Sequence, residues 1–124
     1  MKTGVVILGH GSRAAVDEAN QVLIDLARVV KEKINFEFFA TAFMNPKSQR
    51  PNLEKAVAGL VQDGVKKIII APIFLANGVH MQKDIPEEIT RLREKYQVEI
   101  KIATHLGTDA RIAEIIVEKI KEVV

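Results

Sequence analysis

All three histidines in this chain stand within two residues of a glycine: His10 between Gly9 and Gly11, His80 two residues after Gly78, and His105 two residues before Gly107. Imidazole titrates near neutral pH and ligates borderline divalent metals, so such residues can hold Co²⁺, Ni²⁺, Fe²⁺ or Zn²⁺, or can move a proton. One ring nitrogen cannot do both at once. A pair facing a single cleft divides the tasks or shares the ion. Four cations, Arg13, Lys47, Arg50 and Lys83, fall on predicted loops or helix starts and together would line a cleft for a polyanion. Phe43, Met44, Phe74 and Leu75 lie beside them and would cover a flat apolar ring. Taken singly, each has an ordinary reading: a structural or merely exposed histidine, a solvated loop charge, a core side chain. The functional reading depends on their being brought together.

The elements that would do so alternate along the chain. Residues 5–8, Val-Val-Ile-Leu, read as a strand buried on both faces, as in a parallel sheet. Gly9-His10-Gly11 ends it, and an amphipathic helix follows with Val16, Ala19, Leu23, Leu26, Val30 and Ile34 as its expected apolar face. Residues 36–43 read as a second strand, and residues 44–52 as the longest loop. A helix follows on Leu53, Ala56, Val57, Leu60 and Val61, and Lys67–Pro72 is a third strand. A loop over residues 74–83 then carries His80, and Asp84 with Pro86 and Glu87 reads as the cap of a helix buried through Ile85, Ile89, Leu92 and Tyr96. Residues 98–103 alternate apolar and charged, which marks an edge strand. Thr108-Asp109 caps a last helix bearing Ile112, Ile115, Ile116, Ile120 and Val123. Right-handed crossovers make this an α/β domain: a small four-stranded parallel sheet of flavodoxin-like order 2-1-3-4 with helices on both faces. The loops after strands 1 and 3 then lie side by side at the topological switch point, where such sheets bind ligands. His10 and His80 leave those two loops. His105 follows the fourth strand, nearer the sheet edge, and is expected to be exposed or to stand behind the site.

Other chemistries are excluded or poorly supported. At 124 residues the chain is one domain, residues 1–124, with an ordinary apolar content of 48%. A net charge of +2 with interspersed signs does not point to nucleic acid, and no apolar run is long enough to cross a bilayer. The absence of cysteine removes disulfides, thiolate catalysis and thiolate metal sites. The start runs directly into a strand without a signal-peptide pattern, so a cytoplasmic protein is expected. Residues 9–14 satisfy the dinucleotide pattern G-x-G-x-x-A, but Phe43-Met44-Asn45 stands where an acidic residue would close the second strand. Neither a G-x-S-x-G elbow nor a Walker loop is present. A phosphohistidine mechanism at His10 lacks the preceding arginine, because position 9 is Gly.

Gly9-His10-Gly11-Ser12-Arg13, then Ala42-Phe43-Met44, then residues 72–80 leading into Asp84-Ile85-Pro86, then Leu106-Gly107, resemble the class II tetrapyrrole chelatases. The likeness is to the short, single-lobe sirohydrochlorin cobaltochelatases and covers essentially the whole chain. It implies insertion of Co²⁺ into sirohydrochlorin on the anaerobic route to cobalamin, with Fe²⁺ or Ni²⁺ insertion as close cousins and no organic cofactor. It carries the family's metal-site histidines onto His10 and His80, which would be both ligands and proton relays. It implies a homodimer closing over the tetrapyrrole, with neither nucleic acid nor membrane as partner. The substrate-facing set would be Ser12, Arg13, Phe43, Met44, Asn45, Lys47, Phe74, Leu75, Gly78 and Lys83. Many relatives carry Glu where this chain has Asn45, which puts a carboxylate helper there in doubt. A carrier that binds a tetrapyrrole or metal without turnover is the alternative from another class.

Overall fold

Val6 and Leu8 face one side of the sheet and Val5 and Ile7 the other, and all four are buried. That requires neighbours on every side, and the computed structural model supplies them. It describes residues 2–76 and 78–124, with the side chains of residues 79–81 outside the described set. Strand β1 (Thr3–Gly9) is flanked by β2 (Phe38–Phe43) and β3 (Lys67–Pro72), and β4 (Glu99–Ile102) pairs with β3. All pairings are parallel and the order is β2-β1-β3-β4, as the sequence predicts. The register places Gly9 opposite Phe43 and Leu8 opposite Pro72, so the three central strands end together.

Helices α2 (Leu53–Gln62) and α3 (Val79–Tyr96) cover one face of the sheet through Leu53, Val57, Leu60, Ile85, Ile89 and Leu92. Helix α1 (Glu18–Lys33) covers the other through Leu23, Ala27 and Val30. In β4, Ile100 is buried while Glu99 and Lys101 are exposed, the alternation expected of an edge strand.

Three expectations are corrected. The buried face of α1 is rotated in part: Leu23, Val30 and Ile34 pack on the sheet as expected, but Ala19 and Leu26 are exposed, Val16 lies before the helix, and the buried positions are Asn20 and Ala27. A periodicity of apolar residues cannot register an inward-facing amide, and Asn20 fixes the rotation through hydrogen bonds described below. Helix α3 begins at Val79, capped by Gly78, and not after Asp84; Pro86 lies inside it. An interior proline costs about 3 kcal/mol. Burying Ile85, Ile89 and Leu92 gains roughly 1.5–3 kcal/mol for each side chain, so the helix runs through. His80 therefore sits in the first turn of a helix, not on a loop. Finally, α4 (Ala110–Lys121) forms with Asp109 accepting from the Arg111 amide at 2.8 Å, but none of its residues is buried.

The α2 and α3 layer is tied by Glu54, which accepts from Arg91 at 2.6 Å, Lys95 at 2.6 Å and the Tyr96 hydroxyl at 2.9 Å. These bonds, Lys95 first, hold its carboxyl down to about 2 from an ordinary 4.5. A depressed folded-state value means stability that is present above the unfolded value and lost as pH falls toward the folded one. Glu54→Gln is expected to lower the thermal midpoint at pH 7, with the gap to wild type closing between about pH 4.5 and pH 2 in circular-dichroism melts. A gap independent of pH would show that the network contributes through packing alone.

Candidate functional site

The carboxyl end of β1 delivers His10 to the edge of the sheet, and two glycines make the approach possible. A Cβ on Gly9 would lie 1.9 Å from Leu23 Cδ1, so any side chain here would force Leu23 of α1 to move. Gly11 has φ of 91° and packs against Phe43, a conformation and a contact that together exclude larger residues.

The loop between these glycines and α1 is held from both sides. On the β2 side, the Met44 amide donates to the Gly9 carbonyl at 3.0 Å and the Asn45 amide to the His10 carbonyl at 2.7 Å. The Asn45 side chain donates to the Gly11 carbonyl at 3.4 Å and accepts from the Lys47 amide at 3.0 Å, capping a short 3-10 turn over Pro46–Ser48. On the α1 side, fully buried Asn20 grips Ser12 twice, accepting from its amide at 2.6 Å and donating to its carbonyl at 2.9 Å. Asn20 also donates to Asp17 at 2.7 Å, and the Arg50 guanidinium, from the loop before α2, pairs with that carboxylate. Hydrogen bonds from Arg50, and then from Asn20, hold the Asp17 carboxyl below its usual range. The backbone of the loop is fixed.

The His10 imidazole is exposed in contrast. Its Nδ1 lies 3.3 Å from the Gly11 carbonyl oxygen. A carbonyl only accepts, so a hydrogen bond here requires the tautomer protonated on Nδ1, in which Nε2 carries the lone pair. That is the protonation state in which a histidine binds a metal or accepts a proton.

His10 opens onto a cleft of ≈ 490 Å³ lined by Arg13, Met44, Asn45, Pro46, Lys47 and Asp84. This volume lies within the range of small-molecule sites. The cations Arg13 and Lys47 are offset by one carboxylate, Asp84. The structure thus brings together His10, Arg13, Met44, Asn45 and Lys47 from the sequence-predicted set. Ser12 acts through its backbone, in the grip of Asn20. Phe43 is 1% exposed and packs beneath the loop, and Phe74 packs against the core below α3. Leu75 is exposed on a different cleft, shared with Ala76, His105 and the start of α4. Lys83 is exposed on α3 and does not line the His10 cleft, and Arg50 is engaged by Asp17. Gly78 caps α3. The side chain of His80 lies outside the described residues, but its backbone stands in the first turn of α3, four residues before Asp84.

Asp84 escapes sequence reasoning because, beside Pro86, it reads as a helix cap. The Gly78 start of α3 is the signal that reassigns it, since it then falls one turn after His80. Asn20 is missed because a polar residue breaks the apolar period. Among the described residues, no group of three or more His, Asp or Glu converges on one point.

Removing the grip on Ser12 should separate scaffold from site. Asn20→Ala leaves the Ser12 amide and carbonyl without these partners and is expected to cost about 1–3 kcal/mol in denaturant unfolding. It should also weaken Co²⁺ binding by about tenfold in titration calorimetry, as loss of a positioning partner does at metal sites. Unchanged Co²⁺ affinity would show that the grip serves stability alone.

A family model described as CbiX matches residues 4–123. The sirohydrochlorin cobaltochelatase of Methanopyrus kandleri is 34% identical over 95% of this chain and 94% of its own length. The sirohydrochlorin ferrochelatase of Priestia megaterium is 33% identical over 95% of this chain, which spans 43% of that longer protein. Among solved structures, the CbiX protein of Marinobacter aquaeolei VT8 superposes with a TM-score of 0.80 at 31% identity, covering 97% of this chain and 95% of that one. The sirohydrochlorin chelatase SirB of Bacillus subtilis subspecies spizizenii, in complex with cobalt, superposes with a TM-score of 0.89 at 27% identity. That match covers 99% of this chain and 51% of SirB. With the family model spanning residues 4–123, this chain belongs to the CbiX family.

Proposed function

We propose that this chain is a sirohydrochlorin chelatase that inserts a divalent metal, Co²⁺ first, into the tetrapyrrole. The observation that carries the reading is the His10 imidazole, exposed on a loop held from both sides and lining a cleft with Arg13, Lys47 and Asp84. Metallation exchanges water ligands on the ion for four ring nitrogens and releases two pyrrole protons. His10 Nε2 donates a lone pair to the incoming ion and holds it with positions open to the macrocycle. His80, brought to the same edge by the first turn of α3, is the second histidine of the pair, and the one that shares the ion or takes a proton. Asp84 adds a carboxylate that neutralises part of the metal's charge or accepts a released proton. Arg13 and Lys47 offer cations to the carboxylates around the ring, and Met44 an apolar contact to its face.

The relatives named for cobalt and for iron support both metals on one substrate. Imidazole and carboxylate ligands do not choose between them, because affinity at such ligands follows the Irving–Williams order and not biological need. The working unit is a homodimer, a reading supported by the longer chelatases, of whose length this chain spans about half.

Anaerobic absorbance of sirohydrochlorin, with protein at a tenth of the substrate concentration and Co²⁺, Fe²⁺ or Ni²⁺ supplied separately, tests the activity. Many turnovers per chain are expected, fastest with Co²⁺. His10→Ala should lower the rate by about 100-fold or more while leaving the fold intact. A spectral change that stops at one equivalent per chain would make the protein a carrier, and no acceleration with any metal would refute the activity.

A further inference from the structure

Asp17 stands at the N-cap of α1, where a carboxylate ordinarily accepts from the first helix amides. It caps none of them. Its oxygens accept instead from the Asn20 side chain, at 2.7 Å, and from the Arg50 guanidinium, whose Nε donates to Oδ1 at 3.4 Å and whose Nη2 pairs with Oδ2. Arg50 arrives by an equally unfavourable route. The residue before it, Gln49, has φ of 58°, a left-handed conformation that residues other than glycine rarely adopt. The Arg50 amide then donates to the hydroxyl of buried Ser48 at 3.2 Å. An uncapped helix start and a left-handed glutamine both attend one ion pair.

The pair closes a ring around the His10 loop. Asn20 links Asp17 to Ser12, beside Gly11. The Asn45 side chain links the Gly11 carbonyl to the turn over Pro46–Ser48, and Ser48 links that turn to Arg50. His10 and Arg13 leave one side of the ring and Lys47 the other, and all three line the same cleft. Within the ring, only the Arg50–Asp17 link joins two full charges. With side chains 32% and 39% exposed, such a pair contributes little to overall stability. Two guanidinium nitrogens on one carboxylate fix orientation as well as distance, so what the pair sets is the place of one loop against the other.

We propose that Arg50 and Asp17 are a positioning pair for the tetrapyrrole, holding Lys47 at a fixed reach from His10 and Arg13 so that carboxylates of the ring meet both cations at once. The proposal rests on the chelatase reading above and deepens it. Neither residue of the pair lines the cleft. Arg50 therefore acts through the loop it holds and not as one of the cations that meet the substrate.

The test uses the full chain with Arg50→Met, Arg50→Lys, Asp17→Asn and the double variant of Arg50→Met with Asp17→Asn. In the protein alone, amide hydrogen exchange at Ser12 and Asn45 should quicken about tenfold in Arg50→Met, while the amides of β3 and α2 keep their protection. In anaerobic turnover of sirohydrochlorin with Co²⁺, Arg50→Met and Asp17→Asn should each raise KM about tenfold and leave kcat within about twofold of wild type. The direction of the two shifts decides between causes. Charges acting through space on an anionic substrate would make loss of Arg50 weaken binding and loss of Asp17 strengthen it. A positioning pair weakens it in both, and the double variant should be no worse than either single one. Arg50→Lys, which keeps the charge without the two-nitrogen grip, should recover part of the loss. Opposite shifts in KM, additive losses, or unchanged exchange at Ser12 and Asn45 each overturn the proposal. So does exchange that quickens throughout the core, which would make the pair a matter of overall stability. Exchange is read without substrate: a wild-type chain that fails to metallate sirohydrochlorin refutes the chelatase reading, while the exchange result still decides whether the pair holds the loops.

Discussion

Everything at the candidate site depends on one constraint: the short loop after β1 must be rigid in its backbone and open at its side chain. Gly9 allows α1 to close within contact of the strand, and Gly11 turns the chain under Phe43. Asn45 then fixes the loop from the β2 side and Asn20 from the α1 side. With its neighbours' carbonyls and amides engaged in this way, His10 is left exposed, its Nδ1 directed at the Gly11 carbonyl. Ordering a residue costs about 1–2 kcal/mol of conformational entropy, and here that cost is met by folding instead of by substrate binding. Preorganisation of this kind is what positions a ligand atom before the metal arrives.

The same economy explains the two asparagines. Asn20 is buried, and a buried amide is costly unless both its donor and its acceptor are used. Here both are, on Ser12 and Asp17. The Asn45 amide does two structural tasks that a carboxylate could not combine: donating to Gly11 and accepting from Lys47. The carboxylate that lines the His10 cleft is Asp84, on α3.

Much of this was legible in the residues themselves. The buried run of residues 5–8 and the alternation in β4 determine which strands are central and which lie at the edge, and the parallel order follows from the crossovers. The glycines around His10 mark a presented side chain. What could not be read has physical causes. The rotation of α1 is set by an amide whose partners are distant from any apolar pattern. The start of α3 is masked by Pro86, whose local cost is outweighed by tertiary burial of Ile85, Ile89 and Leu92. Phe43 reads equally well as ring-facing or core, and only packing against Gly11 assigns it to the core. The stripe of α4 is fully visible in sequence, but that none of its residues is buried is a property of the folded molecule.

The most direct test of a presented metal-binding His10 is proton NMR of the Co²⁺-loaded protein, because the chain has only three histidines and each imidazole can be assigned. The account predicts hyperfine-shifted imidazole resonances from His10 and His80, with the exchangeable proton of His10 on Nδ1, and an unshifted His105. Loss of the His10 signals in His10→Ala should leave the rest of the spectrum in place. Hyperfine shifts at His105 with His10 unmoved, or a His10 ring protonated on Nε2, would contradict it.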